Sequence, residues 1–304
     1  MGASSDVKAV HLGKSELCGS EPMLNKAGIN KWDILKYIRG GGMLFVGIIM
    51  AMPFLWMVST AFMPLKEVFV YPPHLFTLHP QWDNWIKAWN YRPMGMYLFN
   101  TVLVAGVIVL GQVITSSLAA YSLARLRFRG KKFVFWIIMM TLMVPTQVTF
   151  IPLFLMMKDL GWIDSYYGLI VPFIGSAFAT FWLYQAFKQV PSSIIEAAQA
   201  DGAGHLWILY KIILPLSKAS VITLVLLNFV WHYNDFFWPL IVTQSDTMRT
   251  MPVGLSFMMA SDGTGTPWNL LAAANLISMV PSLILFMFGK KYFTGSLMSS
   301  AVKG

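Results

Sequence analysis

Six runs of apolar residues, at about 43–63, 98–124, 133–157, 167–187, 219–242 and 268–289, set the terms on which this chain can fold. Each is close to the ~20 residues that a helix needs to cross a ~30 Å hydrocarbon layer. Backbone groups in lipid must be paired within their own segment, so the runs predict helices and the chain reads as an all-α integral membrane protein with six transmembrane spans. Pro53, Pro145, Pro152, Pro172 and Pro281 are expected to kink those helices where neighbours can satisfy the freed carbonyls. A chain with 57% hydrophobic and only 12% charged residues is no ordinary soluble domain.

The formal charge of +9 raises nucleic acid as a partner, but the cations fall between the apolar runs, with no basic stripe interleaved with exposed aromatics. They report orientation instead. With the N-terminus inside, every Lys and Arg except Lys66, Lys87, Arg92, Lys158 and Arg249 falls on the inner side, which predicts cytoplasmic N- and C-termini. Residues 1–40 then form a cytoplasmic arm, residues 41–304 the transmembrane domain, and 290–304 a cytoplasmic tail. The arm holds Gly13-Lys14-Ser15, the end of a phosphate-binding loop, yet Lys8 stands where that motif needs its first glycine. No ATP site is expected there, and the single cysteine, Cys18, is assigned no role.

On the outer side, Trp82, Trp85 and Trp89 are spaced i, i+3, i+7 and predict a short helix lying in the membrane interface, where tryptophan is enriched. A sugar-stacking platform is the sharper alternative for the same residues. On the inner side, residues 188–218 make the longest fairly polar segment between two apolar runs, and a loop of that length is expected to work as a docking site. Ser193 stands three residues before Glu196, the spacing of a capping box, so a helix is expected to start there. It can run only to Ala200 before Asp201-Gly202-Ala203-Gly204 breaks it, with Gly202 suited to the positive φ of a helix C-terminus. A second helical run, Leu206 to Leu214, leads to Pro215.

These residues also carry a resemblance. Glu196-Ala197-Ala198, Asp201-Gly202-Ala203 and Ile213-Leu214-Pro215-Leu216 together resemble the EAA loop of ABC-importer permeases. Leu123-Ala124-Arg125-Leu126-Arg127-Phe128-Arg129-Gly130 resembles the inner loop of the carbohydrate subset. The shorter permease subunit of maltose-type importers is resembled by Asn234-Asp235-Phe236-Phe237-Trp238-Pro239-Leu240, by Thr250-Met251-Pro252-Val253-Gly254-Leu255 and by the terminal Ala301-Val302-Lys303-Gly304. The likeness spans residues 40–304. Ala200, Ala219 and the His232-Tyr233 pair depart from the usual pattern.

The resemblance implies the type I importer fold and a division of labour. Glu196, Ala197, Ala198, Asp201, Gly202, Ala203, Leu214 and Pro215 would couple to a separate ATPase, with Lys303 and Gly304 as a second contact. ATP and Mg would belong to that ATPase, and this chain would bind no cofactor. Its partners would be a second permease subunit, two ATPase copies, an extracytoplasmic solute-binding protein and membrane lipid, in a bacterial or archaeal cytoplasmic membrane. The solute would be a sugar or related polyol.

In the fifth run, Asn228, Trp231, Asp235 and Trp238 fall at i, i+3, i+7, i+10, one polar and aromatic helix face that lipid would not favour. It is expected to point inward and to line a translocation pathway or pack against other helices. An ion-coupled secondary transporter is the alternative from another class. It usually places several ionisable groups near mid-membrane, whereas Asp235 is the one acid clearly inside an apolar run. A membrane enzyme would need convergent polar side chains, and the five histidines do not gather at ligand spacing.

Overall fold

The computed structural model describes residues 31–259 and 265–301, and among these every regular element is helical. Contacts divide the chain into two compact units, residues 1–54 and 55–304. Helix α1, Lys31–Phe62, starts nine residues before the expected end of the N-terminal arm and passes Pro53 without interruption. In the larger unit, α2 (Asp83–Tyr91) precedes the long α3 (Met94–Arg125). Next come α4 (Lys131–Thr141), α5 (Thr146–Asp159), α6 (Tyr166–Ile170) and α7 (Ala177–Lys188). Short helices α8 (Ser192–Ala200), α9 (His205–Ile208) and α10 (Leu214–Leu216) lead to α11 (Lys218–Tyr233), α12 (Phe237–Val242), α13 (Met251–Met259) and α14 (Trp268–Ala301).

Three stretches, Lys36–Phe62, Met94–Arg125 and Trp268–Lys290, are single helices long and apolar enough to cross a membrane, and bent pairs raise the number to as many as six. The third apolar run is α4 plus α5, bent by 95°, and Pro145 sits at the break where its missing N–H leaves no ladder bond to lose. The fourth is α6 with the turn Val171–Phe173, then α7, at 40°, with Pro172 in that turn. Pro152 and Pro281 lie inside continuous helices instead, as does Pro53. The fifth run departs most from expectation. It is not one helix over 219–242: α11 stops at Tyr233 and the chain resumes helical form only at Phe237. The backbone of α14 runs on to Ala301, through most of the expected tail, while Lys303 and Gly304 lie outside the described residues.

Packing in the larger unit centres on α3, which lies along α7 and α11, while α14 lies along α11 and α2. Three clusters of buried side chains follow from this. At one end Tyr121, Leu183, Phe187, Ile195, Ile208, Ile213 and Leu224 join α3, α7, α11 and the short helices. Around the middle Val104, Ile108, Met157, Leu169, Trp238 and Val242 interlock. At the far end Ala61, Ala88, Met94, Tyr97, Met251, Met258 and Ala273 pack together. The tryptophan helix belongs to that far end. Trp82 and Trp85 lie against Phe62, and buried Asn84 donates to the carbonyls of Ala61 and Met63, both at 3.0 Å.

The far end also carries a polar lock. Tyr97 Oη donates to Asp246 Oδ1 at 2.8 Å, Arg249 pairs with the same carboxylate, and Asn100 donates to the carbonyls of Thr247 and Arg249 at 2.8 and 2.9 Å. Asp164 accepts from the backbone N–H groups of Gln244 and Ser245. The Tyr97 hydroxyl, aided by Arg249 against the opposing effect of burial, holds the Asp246 carboxyl below its ordinary 3.8. A depressed folded-state value means that the stabilisation is complete above about pH 3.8 and is lost as pH falls below it. Asp246→Asn should therefore lower the melting temperature at pH 7 and flatten its fall on acidification, measured by thermal unfolding in detergent.

Gly254, in the Thr250–Leu255 motif, faces this lock. A Cβ there would sit inside the Tyr97 ring, and Tyr97 is fully buried. Gly254→Ala must shift that ring and is expected to destabilise the protein by ~1–3 kcal/mol. The same melts should read the loss, and an unshifted melt would refute the packing account.

Candidate functional site

Residues 188–218 fold as the sequence reading anticipated in outline. Helix α8 closes with Gly202 at φ 81°, and two bonds finish the turn: Gly202 N to Gln199 O at 3.0 Å and Ala203 N to Ala198 O at 2.9 Å. This pair of crossing bonds is a Schellman ending, and the positive φ suits glycine because it carries no Cβ. The helix start differs. Pro191, not Ser193, is the N-cap, and no side chain caps the helix, so the expected Ser193–Glu196 box does not form. With Pro191 as N-cap, the helix begins two residues earlier than expected. Glu196 is left exposed, without a hydrogen bond or ion pair to any described residue.

The two alanines of Glu196-Ala197-Ala198 separate in space. Ala198 is buried with Ile195, facing the cluster that includes Ile208 and Ile213, whereas Ala197 is exposed. Ala197, Asp201, Gly202, Ala203, Trp207 and Ile212 line part of a concavity of about 630 Å³. Trp207 is 53% exposed, and its neighbour Leu206 is 62% exposed. A π-helical turn, Leu209–Ile213, carries the chain through Leu214 and Pro215, and α11 then leaves at 82° to the preceding helical stretch.

Two residues at the end of α3 hold this knob in place. The Arg125 guanidinium donates to the carbonyls of both Phe187 and Val190, the residues that close α7 and open the loop. Tyr121 Oη lies 2.9 Å from His205 Nδ1 at the start of α9. Arg125 stood inside a quoted motif, but neither Tyr121 nor His205 was singled out from the sequence. Their partners lie 60 to 90 residues away, and no periodicity reports such pairing.

The four residues expected on one face of the fifth run are dispersed. Asn228 is buried and donates to Gln112 Oε1 at 2.6 Å. Gln112 Nε2 in turn reaches Phe173 O at 2.8 Å and His232 Nε2 at 3.0 Å, tying α3, the turn after α6 and α11 together. With the Gln112 amide donating, His232 Nε2 is the acceptor and its proton sits on Nδ1. Trp238 is fully buried and its indole N–H donates to Gly168 O at 3.0 Å, so it serves packing. Trp231 is 75% exposed. Asp235 falls in the break between α11 and α12, with its carboxylate against the backbone N–H groups of Phe236, Phe237 and Trp238. The single face fails because 3.6-residue periodicity holds only while the helix continues. Gln112 was missed, and its one signal was an amide in mid-run, where lipid offers no partner.

Comparison with known proteins accords with this arrangement. Residues 112–297 match the family model described as "Binding-protein-dependent transport system inner membrane component". The sn-glycerol-3-phosphate transport system permease protein UgpE of Yersinia enterocolitica is 32% identical over 265 residues, covering 85% of this chain and 94% of that protein. Its namesake from Pectobacterium atrosepticum is 32% identical over 283 residues, or 91% and 98%. Among solved structures, a chain of a bacterial ABC transporter involved in the import of the acidic polysaccharide alginate superposes with a TM-score of 0.77 at 23% identity, covering 87% of this chain and 99% of that one. A chain of the alginate transporter in complex with an alginate pentasaccharide-bound periplasmic protein gives 0.61 at 16% identity, covering 85% and 94%. The chain belongs to the family of inner membrane components of binding-protein-dependent transport systems.

Proposed function

We propose that this chain is one of two permease subunits of an ATP-driven importer that brings a sugar or sugar-like solute into the cytoplasm. The concentration of Lys and Arg on one side of the apolar runs supports six spans with both termini and the α8–α10 knob on the cytoplasmic face. Two copies of a separate ATPase hold ATP and Mg, and an extracytoplasmic binding protein delivers the solute. The relatives cited are bacterial, which supports a bacterial inner membrane over the archaeal option.

The observation that carries the reading is the knob itself. A fully folded surface loop exposes Leu206, Trp207 and Ile194 around a concavity built from Ala197, Gly202 and Ala203, while Ala198 and Ile195 fix it to α3 and α7. Exposed aromatics around small residues suit close approach by another protein. The ATPase is the partner that the family supplies. Closure of the ATPase dimer then moves the knob, and α11, rooted in it at Ser217–Lys218, carries the movement into the membrane. The secondary-transporter reading gives such a knob nothing to do. The test is purification of the tagged chain in mild detergent: an ABC ATPase and a second permease should accompany it, and their absence would refute the proposal.

A further inference from the structure

Two cavities flank the break in the fifth apolar run. One, of about 810 Å³, lies among α5, α11, α12 and α14, and the other, of about 580 Å³, among α11, α13 and α14. Val230, Asn234, Phe236 and Phe286 line both. Unwound backbone at membrane depth persists only where protein buries it or where it lines a water-filled space. Residues 234–236 are such a segment; Asn234 and Phe236 line both cavities, and Asp235 lines the larger.

The walls are chemically mixed. Gln147, Asn234 and Asp235 offer amide and carboxylate groups beside the rings of Phe150, Trp231 and Phe237. His232, held through Nε2 by Gln112, adds an Nδ1–H. Flat apolar faces interleaved with hydrogen-bonding groups match a molecule whose rings are apolar on their faces and whose hydroxyls need both donors and acceptors. Asp235 is the one acid in either lining, and neither lining contains Lys or Arg. The relatives cited are named for sn-glycerol-3-phosphate and for an acidic polysaccharide, yet these walls offer no cation to a phosphate or carboxylate.

We propose that the helix break at 234–236 is a solute-contacting point of this chain, and that it accepts uncharged polyhydroxyl solutes and disfavours anionic ones. The inference rests on the importer reading above. Asp235 supplies both a hydroxyl acceptor and the field that excludes anions.

The test uses the whole purified complex in lipid nanodiscs, with Cys18→Ala and either Asn234→Cys or Phe237→Cys, so that loss of the Asn234 bond to Val230 O does not confound the result. Each cysteine is labelled with a cationic trimethylammonium-ethyl thiosulfonate and with an anionic sulfonatoethyl thiosulfonate. Both positions should react, with a cation-to-anion rate ratio ~10-fold above that of the uncharged thiol N-acetylcysteine amide, as expected for one carboxylate ~6 Å away even in a water-like medium. Adding Asp235→Asn should return the ratio to the free-thiol value. Maltose, trehalose or glycerol should slow labelling, and sn-glycerol 3-phosphate should not. Unreactive cysteines, a ratio indifferent to Asp235→Asn, protection by the phosphate ester, or protection by none of the neutral probes would each overturn the proposal. Failure of the ATPase to co-purify counts against the importer reading instead, and that is scored before any labelling begins.

Discussion

Ala197→Trp should leave the chain inserted and folded yet lower ATPase retention at least ~10-fold, with binding-protein-dependent uptake falling in step. Ala197 is exposed and lines the concavity of the knob, so a large side chain there fills space that the partner would occupy and disturbs no internal contact. A loss of ~1.4 kcal/mol at the interface already gives the tenfold effect. Ala198→Trp tests something else. That methyl is buried among Ile195, Ile208 and Ile213, and overpacking there is expected to destabilise the loop itself by ~1–3 kcal/mol. The two variants therefore separate on a melting curve: Ala197→Trp should melt like the parent protein, and Ala198→Trp should melt early. Normal ATPase retention by Ala197→Trp would remove the concavity as the docking surface.

That contrast also marks how far the sequence could be read. Positive φ at Gly202 and the end of α8 at Ala200 were legible, because they depend on residues within a few positions of one another. Which of two adjacent alanines is buried depends on where α3 and α7 lie, and no local pattern encodes that. The same limit explains the capping error. Ser193 and Glu196 have the right spacing, but Pro191 already starts the helix two residues earlier and moves Glu196 out of the third position. In the fifth run the polar period was real in the sequence. Its meaning changed because the helix stops at Tyr233, which turns Asp235 from a face residue into part of an unwound segment. The motif Asn234–Leu240 was found by resemblance, and the break within it is what gives it a physical content.

Arg125→Ala should uncouple the machine more completely than any other single change outside the knob. The guanidinium bridges the carbonyls of Phe187 and Val190 where α7 ends, and so fastens the start of the loop to the end of α3. Hydrogen bonds from a charged donor contribute ~1.5–3 kcal/mol each when kept from water, less where solvent reaches them as it does part of this side chain. Alanine removes both bonds and leaves the Tyr121–His205 contact and the apolar packing of Ile195 and Ala198 to hold the knob against α3. The knob would still present Ala197 and Trp207, so the ATPase should still bind and still hydrolyse ATP. Its closure would then move a loosened knob while α3 stays behind, and solute uptake per ATP should fall ~10-fold or more. One nitrogen, Nη2, makes both bonds, and a lysine ammonium has three donors on a shorter stem, so Arg125→Lys should recover part of the coupling. Combining Arg125→Ala with Tyr121→Phe should abolish uptake at preserved ATPase retention. An Arg125→Ala transporter with parental uptake per ATP would mean that force passes through α11 alone and that the α3 clamp is only a folding device.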